Sequence, residues 1–172
     1  MEKWLSKETI SALLKLGVYQ IAGGAIGALM ILWAIFQTPV FNITLIIIYI
    51  FILALFGYSI FCGISCIQTK KNALKHSLLN NVLQVLSFAL PGFTFSYTAG
   101  VSVFAGLVMS DSLEFNFSAG ISSVTVNTMT GEDTLKLSVN IVAVLLILWI
   151  NKLSKTVKEE LTRWDLPATE NA

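Results

Sequence analysis

Long stretches without a charged side chain constrain this sequence more than any other feature. No Asp, Glu, Lys or Arg occurs between residues 16 and 69, between 77 and 110, or between 137 and 151. A helix needs about 20 mostly apolar residues to cross a bilayer core of about 30 Å. The first stretch is long enough for two crossings, so the sequence predicts an integral membrane protein that is mainly α-helical.

The composition excludes several other classes of protein. Only 12% of the residues are charged, against about 25% in a typical soluble domain. The chain has 11 basic and 10 acidic residues, so it lacks the basic surplus that binding to nucleic acid requires. Two cysteines are too few for a disulfide scaffold or a zinc cluster, and no cofactor is expected.

The first charge-free stretch predicts a transmembrane helical hairpin over residues 16–67. Pro39 ends a helix near Thr38, which divides the stretch into spans at 16–36 and 43–67. Residues 1–15 carry three lysines and are predicted to form an amphipathic N-terminal segment. The apolar run that follows is longer than the core of a signal peptide, so we expect it to remain as a span.

Small residues on the two spans predict close helix packing. Residues four apart on one helix share a face, and small side chains there let two helix backbones approach. The pattern fits packing of the two spans within one chain, or an interface between copies. The candidate packing residues are Gly23, Gly24, Gly27 and Ala28 on the first span and Ser59 and Gly63 on the second.

Residues 72–90 predict an amphipathic or interfacial helix. At 100° per residue its polar side chains fall within one arc and its apolar side chains fall opposite. Such a polar stripe faces water at the membrane surface, or lines a hydrated path in an oligomer. The stripe consists of Asn72, His76, Asn80, Gln84 and Ser87, and the basic residues Lys70, Lys71 and Lys75 beside it are expected to meet lipid headgroups.

The segment 92–138 alternates between apolar residues and small hydroxylated residues. A period of two is typical of half-buried strands, so we expect a small antiparallel β-rich insert of three or four strands, with a turn at 130–133. The alternative is a further transmembrane helix over 86–109, where the chain is also free of charge, followed by a loop.

Residues 139–151 are predicted to form the last transmembrane helix, followed by an amphipathic tail at 152–172. The preferred architecture therefore has three transmembrane helices, an amphipathic helix and the β-rich insert, and the alternative has four transmembrane helices. Basic clusters precede the first span and follow the second and last. Four crossings would place all three clusters in the cytoplasm, as the positive-inside rule favours.

No predicted span contains an acid, a lysine or an arginine, which argues against a proton-coupled transporter. We find no phosphate-binding loop or catalytic arrangement and expect no enzyme. The preferred function is a structural, scaffolding or assembly role, and the alternative is a homo-oligomeric pore. Expected partners are the lipid bilayer and either a second copy or another membrane protein. The expected location is a bacterial inner membrane, with the N-terminus in the cytoplasm.

Overall fold

The computed structural model describes residues 5–39, 42–109, 113–128 and 135–165. These residues form a mixed α/β fold with four helices and one four-stranded antiparallel sheet. In chain order the elements are α1 (Lys7–Gln37), α2 (Ile43–Ile67), α3 (Ala73–Val82), β1 (Leu86–Leu90), β2 (Phe93–Met109), β3 (Leu113–Thr128), β4 (Leu135–Asn140) and α4 (Ile141–Asp165).

Helices α1 and α2 form the hairpin that the sequence predicts. Both are long and apolar enough to cross a membrane. The Thr38 hydroxyl donates to the carbonyl of Ala34 at the end of α1, just before Pro39. Helix α2 begins at the next cap, where Asn42 Oδ1 accepts a hydrogen bond of 2.8 Å from the N–H of Leu45.

The structure does not confirm a third transmembrane helix. Helix α4 begins at Ile141, so its apolar part ends after eleven residues, where Lys152 follows. At 1.5 Å per residue that part is about 16 Å long, roughly half of a bilayer core. The predicted antiparallel β-rich insert is confirmed as a four-stranded sheet between α3 and α4, so the fold is mixed α/β.

Two sequence predictions for the middle of the chain are wrong. Residues 86–109 form strands β1 and β2, so they are not a fourth transmembrane helix. The helix predicted over 72–90 stops at Val82, because its last residues pair with β2 across the turn at Pro91 and Gly92. The predicted turn at 130–133, residues 1–4 and the end of the tail lie outside the described residues.

The four strands curl into a partly closed sheet. Strand β3 pairs along the whole length of β2. Strand β4 pairs with the last part of β2 and also with β1, while β1 pairs with the first residues of β2. Strands β1, β2 and β4 therefore pair with one another in turn, and β3 extends the sheet on the other side of β2.

A sharp bend in the β2–β3 ribbon makes this pairing possible. The register between the two strands shifts between Thr98 and Val101. Two residues at the bend have positive φ, Gly100 at 113° and Ser122 at 36°, a conformation that is costly for side chains other than glycine. The bend turns the second half of β2 toward β4.

Helix α4 runs antiparallel to the start of α1. Ile150 packs in one cluster with Leu16, and Leu153 packs with Leu13 further along. The C-terminal part of α4 thus returns to the N-terminal end of α1, where the start of α3 also lies. Described residues of the three basic clusters lie at this end, where Lys7 and Lys15 are near Trp149 of α4 and Lys70 is near Val157.

Glu160 of α4 forms hydrogen bonds with the start of α1. Its carboxylate accepts hydrogen bonds from the N–H of Ser6 at 3.0 Å, from the Ser6 hydroxyl at 2.7 Å and from the Thr9 hydroxyl at 2.9 Å. Partial burial raises the pKa of Glu160, but these hydrogen bonds and the charge of Arg163 outweigh it. The pKa therefore lies below its usual value of 4.5.

Replacement of the Glu160 carboxylate tests the contact between α4 and the start of α1. We expect Glu160→Gln to raise hydrogen exchange of the backbone amides at residues 6–12 roughly fivefold at pH 7, since it removes the equivalent of a helix cap. Glu159→Gln, at an exposed neighbouring position, is the control and should leave exchange unchanged. Equal exchange in both variants would contradict the role of Glu160.

The same contact predicts a pH dependence. A carboxyl group whose folded pKa is lowered stabilises the fold above its unfolded pKa and ceases to do so as the pH falls through the folded value. The difference in exchange between the native chain and Glu160→Gln should therefore be complete above pH 4.5 and disappear below the lowered pKa. A difference that persists at lower pH would contradict the titration of this group.

Candidate functional site

The predicted packing residues lie at contacts within the chain. A Cβ on Gly24 would come 2.8 Å from the carbonyl oxygen of Phe56, and one on Gly63 would come 2.5 Å from the carbonyl oxygen of Gly17 in α1. Gly27 lies under the ring of Phe56, and Ala28 packs on the same cluster. The Ser59 hydroxyl donates to the carbonyl of Gln20 at 3.1 Å. These positions hold α1 against α2 in the same chain.

Gly23 faces the sheet instead. A Cβ at this position would overlap the backbone of Gly100 in the bend of β2. The Ser122 hydroxyl donates to the carbonyl of Gly23 at 2.8 Å and accepts from the N–H of Gly100 at 2.9 Å. One turn away on α1, the Tyr19 hydroxyl donates to the carbonyl of Val101 at 3.1 Å. Hydrogen bonds thus join the bend directly to α1.

Two residues of the predicted polar stripe, Asn80 of α3 and Gln84 just after this helix, face the protein interior. Asn80 is fully buried and its amide donates to the Ser59 hydroxyl at 3.2 Å. The side-chain oxygen of Gln84, also buried, accepts from the N–H of Ala99 in β2 at 2.9 Å. The helix therefore joins the hairpin to the sheet through hydrogen bonds.

The other stripe residues have separate positions. His76 is half-buried and its Nδ1 lies 3.2 Å from the Tyr58 hydroxyl of α2. Asn72 is exposed just before α3 and makes no side-chain cap. Ser87 lies in β1, at the wall of a cavity inside the sheet.

The sequence reasoning missed a second set of buried polar groups. Gln20 of α1 is buried, and its side-chain oxygen accepts a hydrogen bond of 2.9 Å from the Ser77 hydroxyl of α3. The same hydroxyl lies 3.1 Å from Cys66 Sγ of α2. A single glutamine inside a charge-free span was the signal for this contact, because such a side chain needs a partner in an apolar setting.

Several apolar side chains of α3 and of the first half of β3 point outward. In α3, Leu79 and Val82 are each about half exposed, opposite its buried polar side. On β3, Phe115 and Phe117 are 77% and 73% exposed, while hydroxyl side chains line the other face of the sheet. Beyond the bend, by contrast, Tyr97 and neighbouring apolar residues of the sheet are covered by α2.

Strand β3 has one open edge. It pairs with β2 on one side, and the described residues place no strand on its other side. Strands β1 and β4 each pair with two other strands, and β2 pairs with three. An open edge exposes backbone N–H and C=O groups that can pair with another strand.

The predicted basic cluster lies where the ends of the helices meet. Lys70, Lys71 and Lys75 are exposed, and the first two border a small groove with Leu5, Leu13 and Val157. Lys70 Nζ lies 5.9 Å from the ring centroid of Phe61. These positions are free to meet anionic groups at a membrane surface.

No family model, curated protein or solved structure matches this chain. Across the part of the chain that the structure describes, no group of three or more His, Cys, Asp or Glu side chains is placed to hold a metal ion. The function must therefore be inferred from the geometry of this molecule.

Asn80 provides a test of the inward polar side of α3. We expect Asn80→Ala to lower the free energy of unfolding by about 1–3 kcal/mol, because it removes a buried hydrogen bond. The measurement is a denaturant titration in detergent followed by near-UV circular dichroism. Asn72→Ala, the same change at an exposed position of the same segment, should cost less than about 0.5 kcal/mol. Equal losses would contradict the inward orientation.

Two glycines test the close approach of α1 to α2. Gly24→Ala should destabilise the chain by about 1–3 kcal/mol, since its new Cβ meets the backbone of α2. Gly57→Ala is the matched control, because a Cβ there meets nothing within 4 Å and alanine favours a helix. Thermal unfolding in detergent should lower the midpoint for the first variant only. A lower midpoint for both would show that the contact is not responsible.

Proposed function

We propose that this chain is a non-catalytic membrane protein with an assembly role, anchored by the α1–α2 hairpin, whose sheet pairs with a second copy through β3. The observation that carries this proposal is the open edge of β3 on a sheet whose outer face is apolar.

The outward side chains support a membrane location for the sheet as well as for the hairpin. Burial of apolar surface is worth about 25 cal/mol per Å², so large exposed apolar side chains are unfavourable in water. Phe115, Phe117 and Ile121 expose most of their surface on one strand. Lipid or another protein surface would cover these side chains without breaking hydrogen bonds, because the side chains form none.

The open edge supports a protein partner in addition to lipid. Backbone groups in the hydrocarbon region must be hydrogen bonded within protein, because each unsatisfied group costs several kcal/mol there. Side-chain hydroxyls already bond several carbonyls of β3, for example Ser102 to Gly120. The far edge of the strand, however, can be satisfied along its length only by another strand.

A second copy is the simplest partner because it brings the same open edge. Two identical edges related by a twofold axis pair antiparallel, and each then satisfies the other. Such pairing would join the two sheets into one and remove both edges. It would also bring the exposed phenylalanines of the two β3 strands side by side on one face.

The charge distribution supports an orientation. The lysines of α1, the cluster Lys70, Lys71 and Lys75, and the basic residues of α4 belong to the same end of the fold. The positive-inside rule places that end in the cytoplasm. We therefore propose a bacterial inner membrane location with both described ends of the chain on the cytoplasmic side.

The pore hypothesis depended on the polar stripe as the lining of a hydrated path. Asn80 and Gln84 are buried and bonded to Ser59 and Ala99 of the same chain. This placement gives the pore hypothesis no support, so we retain the assembly role.

A charge placed on β3 tests the assembly role. We expect Phe117→Lys to convert a dimer of the purified protein in detergent to a monomer, because a charge beside an open edge blocks strand pairing. The mass is measured by light scattering with correction for bound detergent. The control is Leu137→Lys, on the exposed apolar side of β4, a strand with neighbours on both sides. It should remain dimeric, and a native chain that is monomeric at all concentrations would overturn the proposal.

A further inference from the structure

A cavity of about 280 Å³ lies inside the curl of the sheet, and all four strands contribute to its wall. Eight of its fourteen lining residues are Ser or Thr. Ser87 of β1, Ser96 of β2, Ser123 of β3 and Ser138 of β4 represent the four strands. A curled sheet of this size ordinarily fills its interior with apolar side chains. This cavity is unusual because its wall is polar and its centre is unfilled.

Small residues at facing positions keep the cavity open. Ser102 pairs with Gly120 across β2 and β3, and Gly106 pairs with Ser138 across β2 and β4. A Cβ on Gly106 would overlap the Ser138 hydroxyl. Larger side chains at these positions would occupy the space, so the open volume follows from the sequence itself.

One hydroxyl in the wall lacks a partner. Ser138 is 2% exposed, and its hydroxyl oxygen has no hydrogen-bond partner among the described residues. Buried polar atoms in folded proteins are nearly always hydrogen bonded. The unpaired Ser138 hydroxyl lies behind the cavity surface, and the more open hydroxyls of the wall provide the groups that a polar ligand would meet.

The charge of the wall selects the class of ligand. Among the described residues that line the cavity, Lys136 is the only one with a charged side chain. The register places Glu114 on the same sheet face, across Val108 from Lys136, but Glu114 is not among the lining residues. A single ammonium group among hydroxyl groups suits an anion that also carries free hydroxyls.

We propose that this cavity binds a glycerol phosphate group, with the phosphate at Lys136 and the glycerol hydroxyls at the serine and threonine side chains. The cavity is near the lower end of the range for drug-sized ligands, roughly 300–1,000 Å³, so it holds a headgroup and excludes acyl chains. The outward apolar side chains beside it would contact those chains, which makes an anionic glycerophospholipid the expected source. This inference uses the proposed membrane location and is independent of pairing through β3.

Binding to the full chain in a detergent without a sugar headgroup tests the proposal. The probes are short-chain phosphatidylglycerol, phosphatidylcholine with the same acyl chains, and soluble glycerol 3-phosphate, each followed by microscale thermophoresis. We expect phosphatidylglycerol to bind at least tenfold more tightly than phosphatidylcholine. Lys136→Met should weaken that binding about tenfold, as loss of a charged hydrogen bond does, while Lys136→Arg should retain most of it.

Two further variants separate the site from general effects. Lys155→Met makes the same charge change on an exposed face of α4 and should bind like the native chain. Ser138→Ala removes the hydroxyl without adding volume and should weaken binding while the thermal midpoint does not fall. Equal affinity for the two lipids, or native affinity in Lys136→Met, would overturn the proposal.

The soluble probe identifies the source of the group. Glycerol 3-phosphate that binds as tightly as the lipid, with the same dependence on Lys136, would support the headgroup chemistry and overturn the lipid source. Weak binding of the soluble probe beside tight binding of phosphatidylglycerol would support the lipid source. The mass of Phe117→Lys is measured separately, so failure of strand pairing and failure of ligand binding give different results.

Discussion

The contact between α1 and the bend of the sheet determines most of this architecture. Gly23 lets the helix backbone touch the backbone at Gly100, and Ser122 bonds both. The bend redirects the second half of β2 toward β4, so that β1 can pair with both strands. Without this junction the ribbon would extend straight and the interior of the sheet would be open on one side.

Buried polar groups join several elements of the fold in addition to its apolar clusters. Asn80 of α3 and Gln84, just after the helix, contact the hairpin and the sheet, while Leu79 faces outward. Hydrogen bonds therefore supplement apolar packing between the elements. In lipid this is a sound arrangement, since apolar side chains gain little by leaving hydrocarbon, whereas polar groups gain much by finding partners.

The sequence was sufficient for the hairpin and for the existence of the sheet. Charge-free length and Pro39 located the two spans, and the period of two located the strands, because both signals are local. The end of α3 was missed because residues 83–87 continue a helical pattern until the pairing of Phe88 with Phe95 takes precedence. The hydrogen bond of Asn80 to Ser59 and that of Glu160 in α4 to Ser6 were also missed, because both join residues that are distant in sequence.

The bond between Glu160 and Ser6 joins residues 154 positions apart. During synthesis, α1 is made long before its partner on α4. Leu5 and Leu13 pack on Leu153 of α4, so the start of α1 stays partly uncovered until α4 has been translated.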